Sequence, residues 1–122
     1  GFGDVSKSVV PKVGLIAPPA RGGNMAARYF MPWTTHPTLA VTGSQCLAAC
    51  ALAPGTVAEG LATVPETSPA TFQIEHPMGT MDVRVQFENG ADGFQFISAG
   101  VTRTARLLAR GEALVPRSIW AG

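Results

Sequence analysis

Charge is what this sequence has least of. Asp, Glu, Lys and Arg make up 14% of its 122 residues, against about 25% in an average soluble domain. Nine basic and eight acidic residues leave a formal net charge of +1. No basic run is present, which excludes the electrostatic footprint of a nucleic-acid or acidic-membrane binder. Cysteine is almost absent: Cys46 and Cys50 are the only two, and His36 and His76 are the only histidines. Four apart on a helix, two thiols share a face but point in parallel, which is poor disulfide geometry. The same four residues give no zinc-ligand spacing, so no metal is expected. Both thiols lie one to two turns inside the helix read below, away from the N-terminus that would activate them. They read as reduced, buried packing residues, and the chain leans towards a reducing, cytoplasmic setting. Gly-Phe-Gly-Asp at the start is not a signal peptide, so no targeting segment can be read. Arg21-Gly22-Gly23 lacks the spacing and the following helix of a phosphate loop.

Apolar residues, by contrast, reach 46% and mean hydropathy is +0.20. At this length the chain is one domain or part of one, and so small a domain should be more polar. Either this is an Ala- and Gly-rich dialect, or part of the surface normally packs against protein outside the chain. The second reading predicts association.

The uncharged stretch Thr38–Ala53, TLAVTGSQCLAACALA, carries the most information. Thr42-Gly43-Ser44 suits a helix N-terminus, where free N–H groups need oxygen partners. Cys46 to Leu52 then leaves no polar face, and a helix apolar all round is buried all round. It is too short and too rich in Thr, Gly, Ser and Gln to span a membrane. Its positive end would face something anionic.

Around this helix the pattern predicts strands at Lys12–Ala17, Ala26–Met31 and Thr71–Glu75, with Trp33–Pro37 a loop and Pro54-Gly55 ending the helix. Met81, Val83, Val85 and Phe87 alternate with polar residues as in a half-buried strand. Asn89-Gly90 reverses the chain into a partner strand over Gly93–Ser98. Thr102–Arg110 is ambiguous between strand and helical turn, and Ala113–Val115 reads as a last short strand. The sum is an α+β domain with a central buried helix wrapped by a curled, mostly antiparallel sheet.

Four segments in this order, GDVSKSVVPKVGLIAPP, ARYFMPWTTHPTLAVTGSQCLAACALAPGTVA, IEHPMGTMDV and VTRTARLLARGEALVP, resemble the C-terminal part of the PrpF-like methylaconitate cis–trans isomerase family, which includes 4-oxalomesaconate tautomerases. The resemblance covers nearly the whole chain. It implies half of a diaminopimelate epimerase-like fold, with residues 1–122 forming a single partial domain of a two-domain isomerase. It also implies a cofactor-independent proton transfer that moves a double bond in an unsaturated di- or tricarboxylate. In the wider superfamily the strand-to-helix turn of the second half reads Cys-Gly-Ser/Thr-Gly, with the Cys a catalytic acid/base. Here it reads Thr42-Gly43-Ser44-Gln45, and a Thr hydroxyl cannot exchange a proton near neutral pH as a thiol does. The family's catalytic Lys and Cys belong to an N-terminal half that this chain lacks, so the catalytic residues are unknown here and Lys7 and Lys12 are not promoted.

What the resemblance leaves to this chain is binding. Thr42, Gly43 and Ser44 are expected to seat a substrate carboxylate, with His36 in the preceding loop as a companion contact and Thr35 and Thr38 as weaker ones. His76 reads as a structural turn residue, and Arg103 and Arg106 as ion-pair partners of acidic residues in the fold. Asp4 and Gly3 lie in a loop at the margin. The expected partners are a small unsaturated polycarboxylate and either a second copy or a complementary N-terminal half. The alternative is a non-catalytic carboxylate-binding or structural module, which Thr42 in place of a Cys keeps open.

Overall fold

A computed structural model describes residues 3–120. Six strands and one helix follow in order: β1 (Val13–Ala17), β2 (Met25–Met31), β3 (Thr34–Thr35), α1 (Val41–Leu52), β4 (Ala70–His76), β5 (Gly79–Gly90) and β6 (Gly93–Val101). The main sheet runs β1-β2-β4-β5-β6, with β3 paired to β2. Only β2 and β4 pair in parallel, through Met25 opposite Ile74 and Ala26 opposite Glu75. A parallel pair needs a long crossover, and β3, α1 and the Pro-Thr-rich loop supply it. The architecture is therefore α+β, a curled mixed sheet around one helix among the described residues.

The core lies where α1 meets the concave face of the sheet. Phe72, Ile74, Val83, Val85 and Met25 from the strands are wholly buried against Ala48, Ala51 and Leu52 of the helix. Period-two alternation selects these residues: Phe72 and Ile74 point one way along β4, as do Val83, Val85 and Phe87 along β5. Along β6 that parity is broken, since Phe94 and Phe96 are even-numbered and Ala99 and Val101 odd-numbered, yet all four pack on the core. A bulge reconciles them. Gln86 pairs with Ser98 and Phe87 with Phe96, leaving Ile97 unmatched and exposed, and one extra residue flips the facing of all that follow. Phe94 then stacks on Phe87, with ring centroids 5.9 Å apart.

Sequence and structure differ in four places. The hairpin loop is Ala91-Asp92, one pair beyond Asn89-Gly90, because Gly90 still pairs with Gly93 and Gly93 supplies the left-handed φ of +95°. Thr34 and Thr35, expected in a loop, form the short β3. Ala113–Val115 is not a strand: nothing from Thr102 to Trp120 enters the sheet, and every residue of that stretch is exposed. A strand exists only by pairing, and this segment pairs with no edge among the described residues.

The last difference concerns the helix. α1 is not buried all round: Gly43, Ser44, Ala48, Ala51 and Leu52 are buried, while Val41, Thr42 and Cys46 are exposed and Cys50 half-buried. The two cysteines are free thiols, but Cys46 is exposed rather than buried, and Cys50, half-buried, packs against the edge of the core. The absence of charge correctly marked an apolar helix, but the sheet strands in this chain cover only part of its circumference. No helix among the described residues is long and apolar enough to cross a membrane.

Replacing Phe72 with Ala removes the largest wholly buried side chain of this core. Such a truncation should destabilise the fold by about 3–5 kcal/mol, read as a lowered urea midpoint. An unchanged midpoint would show that the helix–sheet contact does not hold the domain together.

Candidate functional site

The first turn of α1 is the centre of the candidate site. Ala40 is the N-cap residue and makes no side-chain cap, and no acidic residue stands in the first turn. A helix start leaves its leading N–H groups without intrahelical partners and concentrates about half a positive charge there. The helix begins one residue earlier than the Thr42-Gly43-Ser44 reading placed it, so these residues lie inside the first turn. Thr42 is exposed. Ser44 is buried, its N–H donates to the Ala40 carbonyl at 2.8 Å and its Oγ donates to the Val41 carbonyl at 2.7 Å. Ser44 thus ties the turn from inside, and the N–H groups without an intrahelical partner are those of Val41, Thr42 and Gly43.

Gly43 explains how the turn is placed. A Cβ built there would come within 2.6 Å of the Tyr29 ring and 2.9 Å of its hydroxyl oxygen. Only glycine lets β2 and the helix start approach so closely. Tyr29 in turn meets the His36 ring edge-on, with centroids 6.4 Å apart, and the His36 N–H donates to the Tyr29 carbonyl at 2.7 Å. His36 Nδ1 accepts the Thr38 backbone N–H at 3.1 Å. An acceptor Nδ1 leaves the proton of a neutral ring on Nε2, so His36 offers one further donor. Tyr29, which sequence reading passed over, therefore lies between the helix start at Gly43 and the His36 ring. Its signal was available: Tyr29 shares the face of Met25 and Ala27 on β2.

The other noted residues lie elsewhere. Arg103 and Arg106 are exposed and form no ion pair among the described residues, against expectation, because the segment that carries them stands off the sheet. Asp4 is exposed and accepts the Ser6 N–H, and Lys7 and Lys12 are exposed. His76 is buried in the β4–β5 turn, where Nδ1 accepts the Met78 N–H at 3.2 Å. Burial pushes its pKa below the ordinary 6.5, against a hydrogen bond to the Thr80 backbone that favours the charged ring, and the positive charge of Arg21, Arg28 and His36 adds to the depression.

Glu75, next to His76, is almost wholly buried and organises a loop. Its Oε2 accepts the Ala20 N–H at 2.9 Å, and its Oε1 accepts those of Arg21 at 2.7 Å and Gly23 at 3.0 Å. Arg21 Nε stands 3.7 Å from Oε2. Backbone donors from Ala20 and Gly23, then Arg21, hold this carboxyl below its ordinary 4.5 despite burial. No group of three or more His, Cys, Asp or Glu side chains converges to hold a metal among the described residues.

With this geometry in place, comparison with known proteins is direct. The model of the PrpF protein family matches residues 3–116. The chain belongs to the PrpF family. Its relatives include the (4E)-oxalomesaconate Delta-isomerase of Novosphingobium sp. (strain KA1), 40% identical over 114 residues, which cover 93% of this chain and 31% of that protein. The 4-oxalomesaconate tautomerase of Pseudomonas putida (strain KT2440) is 36% identical over 121 residues, covering 99% of this chain and 32% of that protein. The chain thus spans about a third of the length of these relatives. The PrpF match reaches into the exposed segment after β6, so that segment is part of the family pattern.

Acidification should lower the stability of the chain in two steps. His76 has a depressed pKa, so its contribution is present above pH 6.5 and is lost as pH falls through the folded value below it. Glu75 follows the same sign, present above 4.5 and lost as pH falls further. Urea midpoints measured from pH 8 to pH 3 should show both declines. His76→Asn should remove the first and Glu75→Gln the second, and a flat midpoint between pH 7 and 5 would refute the role of His76.

Proposed function

We propose that this chain is part of a PrpF-family isomerase of unsaturated di- or tricarboxylates, with an oxalomesaconate- or methylaconitate-like substrate, and that it supplies the carboxylate-binding side of the site. The uncapped start of α1, with no acidic residue in its first turn, carries this reading. The N–H groups of Val41, Thr42 and Gly43 hold one substrate carboxylate, the Thr42 hydroxyl and His36 Nε2–H add donors, and Ser44 fixes the turn. Helix dipole and fixed N–H groups stabilise an anion without a counter-charge, and they do so equally for charge that develops during reaction.

The chemistry this seat serves is an allylic proton shift. A base removes an acidic C–H proton, the charge spreads over a dienolate, and a proton returns at the far end of the allyl system. No described side chain at the seat is suited to that transfer at neutral pH except His36, whose ring is already anchored through Nδ1. On this reading the proton-transfer groups belong to the remaining two-thirds of a family-length polypeptide. The same reasoning makes the curled sheet one unit of a diaminopimelate epimerase-like fold. The open side of α1, the unpaired outer edges of β1 and β6 and the exposed Leu107, Leu108, Leu114, Ile119 and Trp120 are surfaces that the rest of the polypeptide, or failing that a second copy, covers.

Titration of the chain with trans-aconitate should produce saturable amide shifts confined to Val41, Thr42 and Gly43, together with the His36 ring. A well-folded sample with no such shifts would reduce the first turn to a structural helix start. The 122-residue chain alone should not turn over oxalomesaconate in an ultraviolet absorbance assay. Measurable turnover would place the proton-transfer groups within this chain and overturn the division of labour.

A further inference from the structure

The face of the sheet turned away from α1 carries a second feature that the carboxylate seat does not use. Core residues of β2 and β4 face the helix, so Ala26, Arg28 and Glu75, one position out of phase, face the other way. There the loop Ala20–Arg21, the β2 residues Ala26 and Arg28, and the segment Glu75–Pro77 enclose a cleft of about 190 Å³. Its charges do not cancel. The Glu75 carboxylate is saturated by three backbone N–H groups and faces the Arg21 guanidinium. Arg21 Nη2 donates to the His76 and Gly79 carbonyls at 2.8 and 3.1 Å, so it is spent on holding the turn. Arg28 differs: among the described residues its guanidinium makes one hydrogen bond, Nη1 to the neighbouring Ala27 carbonyl at 3.0 Å, and no carboxylate pairs with it. A guanidinium carries five donors in a rigid fork, and most of that fork is unused at the mouth of the cleft.

We propose that Arg28, with Arg21 beside it, forms a binding site for a small oxyanion, a carboxylate or a phosphate. The unpaired fork matches two oxygens of such a group bidentately, a charge-assisted geometry stronger than neutral hydrogen bonds. The cleft is smaller than the roughly 300–1,000 Å³ of pockets that hold organic ligands, which limits the occupant to an inorganic ion or an acid of a few atoms. The local field points the same way. The buried His76 beside the cleft is disfavoured as a cation by burial first and then by Arg21, Arg28 and His36, and an anion at Arg28 offsets part of that field. The site stands on the opposite face of the sheet from the first turn of α1 and does not depend on the isomerase reading.

Titration of the 122-residue chain with sodium malonate and, separately, inorganic phosphate at fixed ionic strength tests it, following the Arg28 Nε–H and His76 ring resonances. Saturable shifts are expected with at least one of the two, and which one saturates names the oxyanion class. Arg28→Gln should weaken the binding about tenfold or more, with Arg28→Lys falling between it and the parent. Among the described residues the Arg28 side chain holds only the carbonyl of its own strand neighbour, so both variants should keep a folded, dispersed spectrum. The Thr42 and Gly43 amides report separately on the other seat. Shifts that rise linearly with concentration, or saturate equally in Arg28→Gln, would overturn the proposal.

Discussion

How close α1 can lie to the sheet governs most of what this molecule does. The buried side of the helix is Gly43, Ser44, Ala48 and Ala51, closed by Leu52, and small side chains let the helix axis settle onto the concave face. At Gly43 the approach is tight enough that any side chain would strike Tyr29. Farther along, the Leu47 side chain lies where a Cβ on Gly14 of β1 would be, at 2.9 Å, and Gln45 Nε2 reaches the Ala99 carbonyl of β6 at 3.2 Å. β1, β2 and β6 are thus gauged against the same helix from both sides. A larger residue on this face would force the helix outward and open the wholly buried layer of Met25, Phe72, Ile74, Val83 and Val85, since close-packed interiors do not absorb added volume without strain.

The same close fit positions the candidate seat. Because the helix start is pressed against Tyr29, and Tyr29 touches His36, the donors of the first turn and the imidazole are set by packing rather than by a flexible loop. Rigid support of this kind is what binding groups need in order to act without reorganising. The buried Ser44 belongs to that support, through hydrogen bonds made entirely within the turn.

On the far face, Glu75 does for a loop what α1 does for the sheet. A single carboxylate gathers three backbone N–H groups over Ala20–Gly23, and Asn24 continues the tie, donating to the Gln73 carbonyl and accepting the Gln73 N–H through Oδ1. Arg21 then joins that loop to the β4–β5 turn. The outcome is an ordered polar corner in a protein otherwise poor in charge, in which Arg28 has no carboxylate partner among the described residues.

Much of this was legible in the sequence, and the limits have physical causes. β5 follows from its alternation, β1, β2 and β4 from short apolar-rich runs bounded by Pro and turn residues, and the end of α1 from Pro54-Gly55, because those signals act within a few residues. The family was also readable from motifs in order, and the carboxylate seat proposed around the helix start was drawn from that resemblance. Tertiary structure alone decided the rest: that a bulge at Ile97 sets the facing of β6, that Ser44 is consumed within its turn, that Tyr29 meets both the helix start and His36, and that Glu75 anchors a loop more than fifty residues away. Each of these depends on which atoms meet across the sheet, and periodicity within one segment carries no such information. The overestimate of helix burial has the same origin. An apolar sequence states that a helix should be covered on every side, but how much of the cover lies in this chain is a property of the assembled sheet.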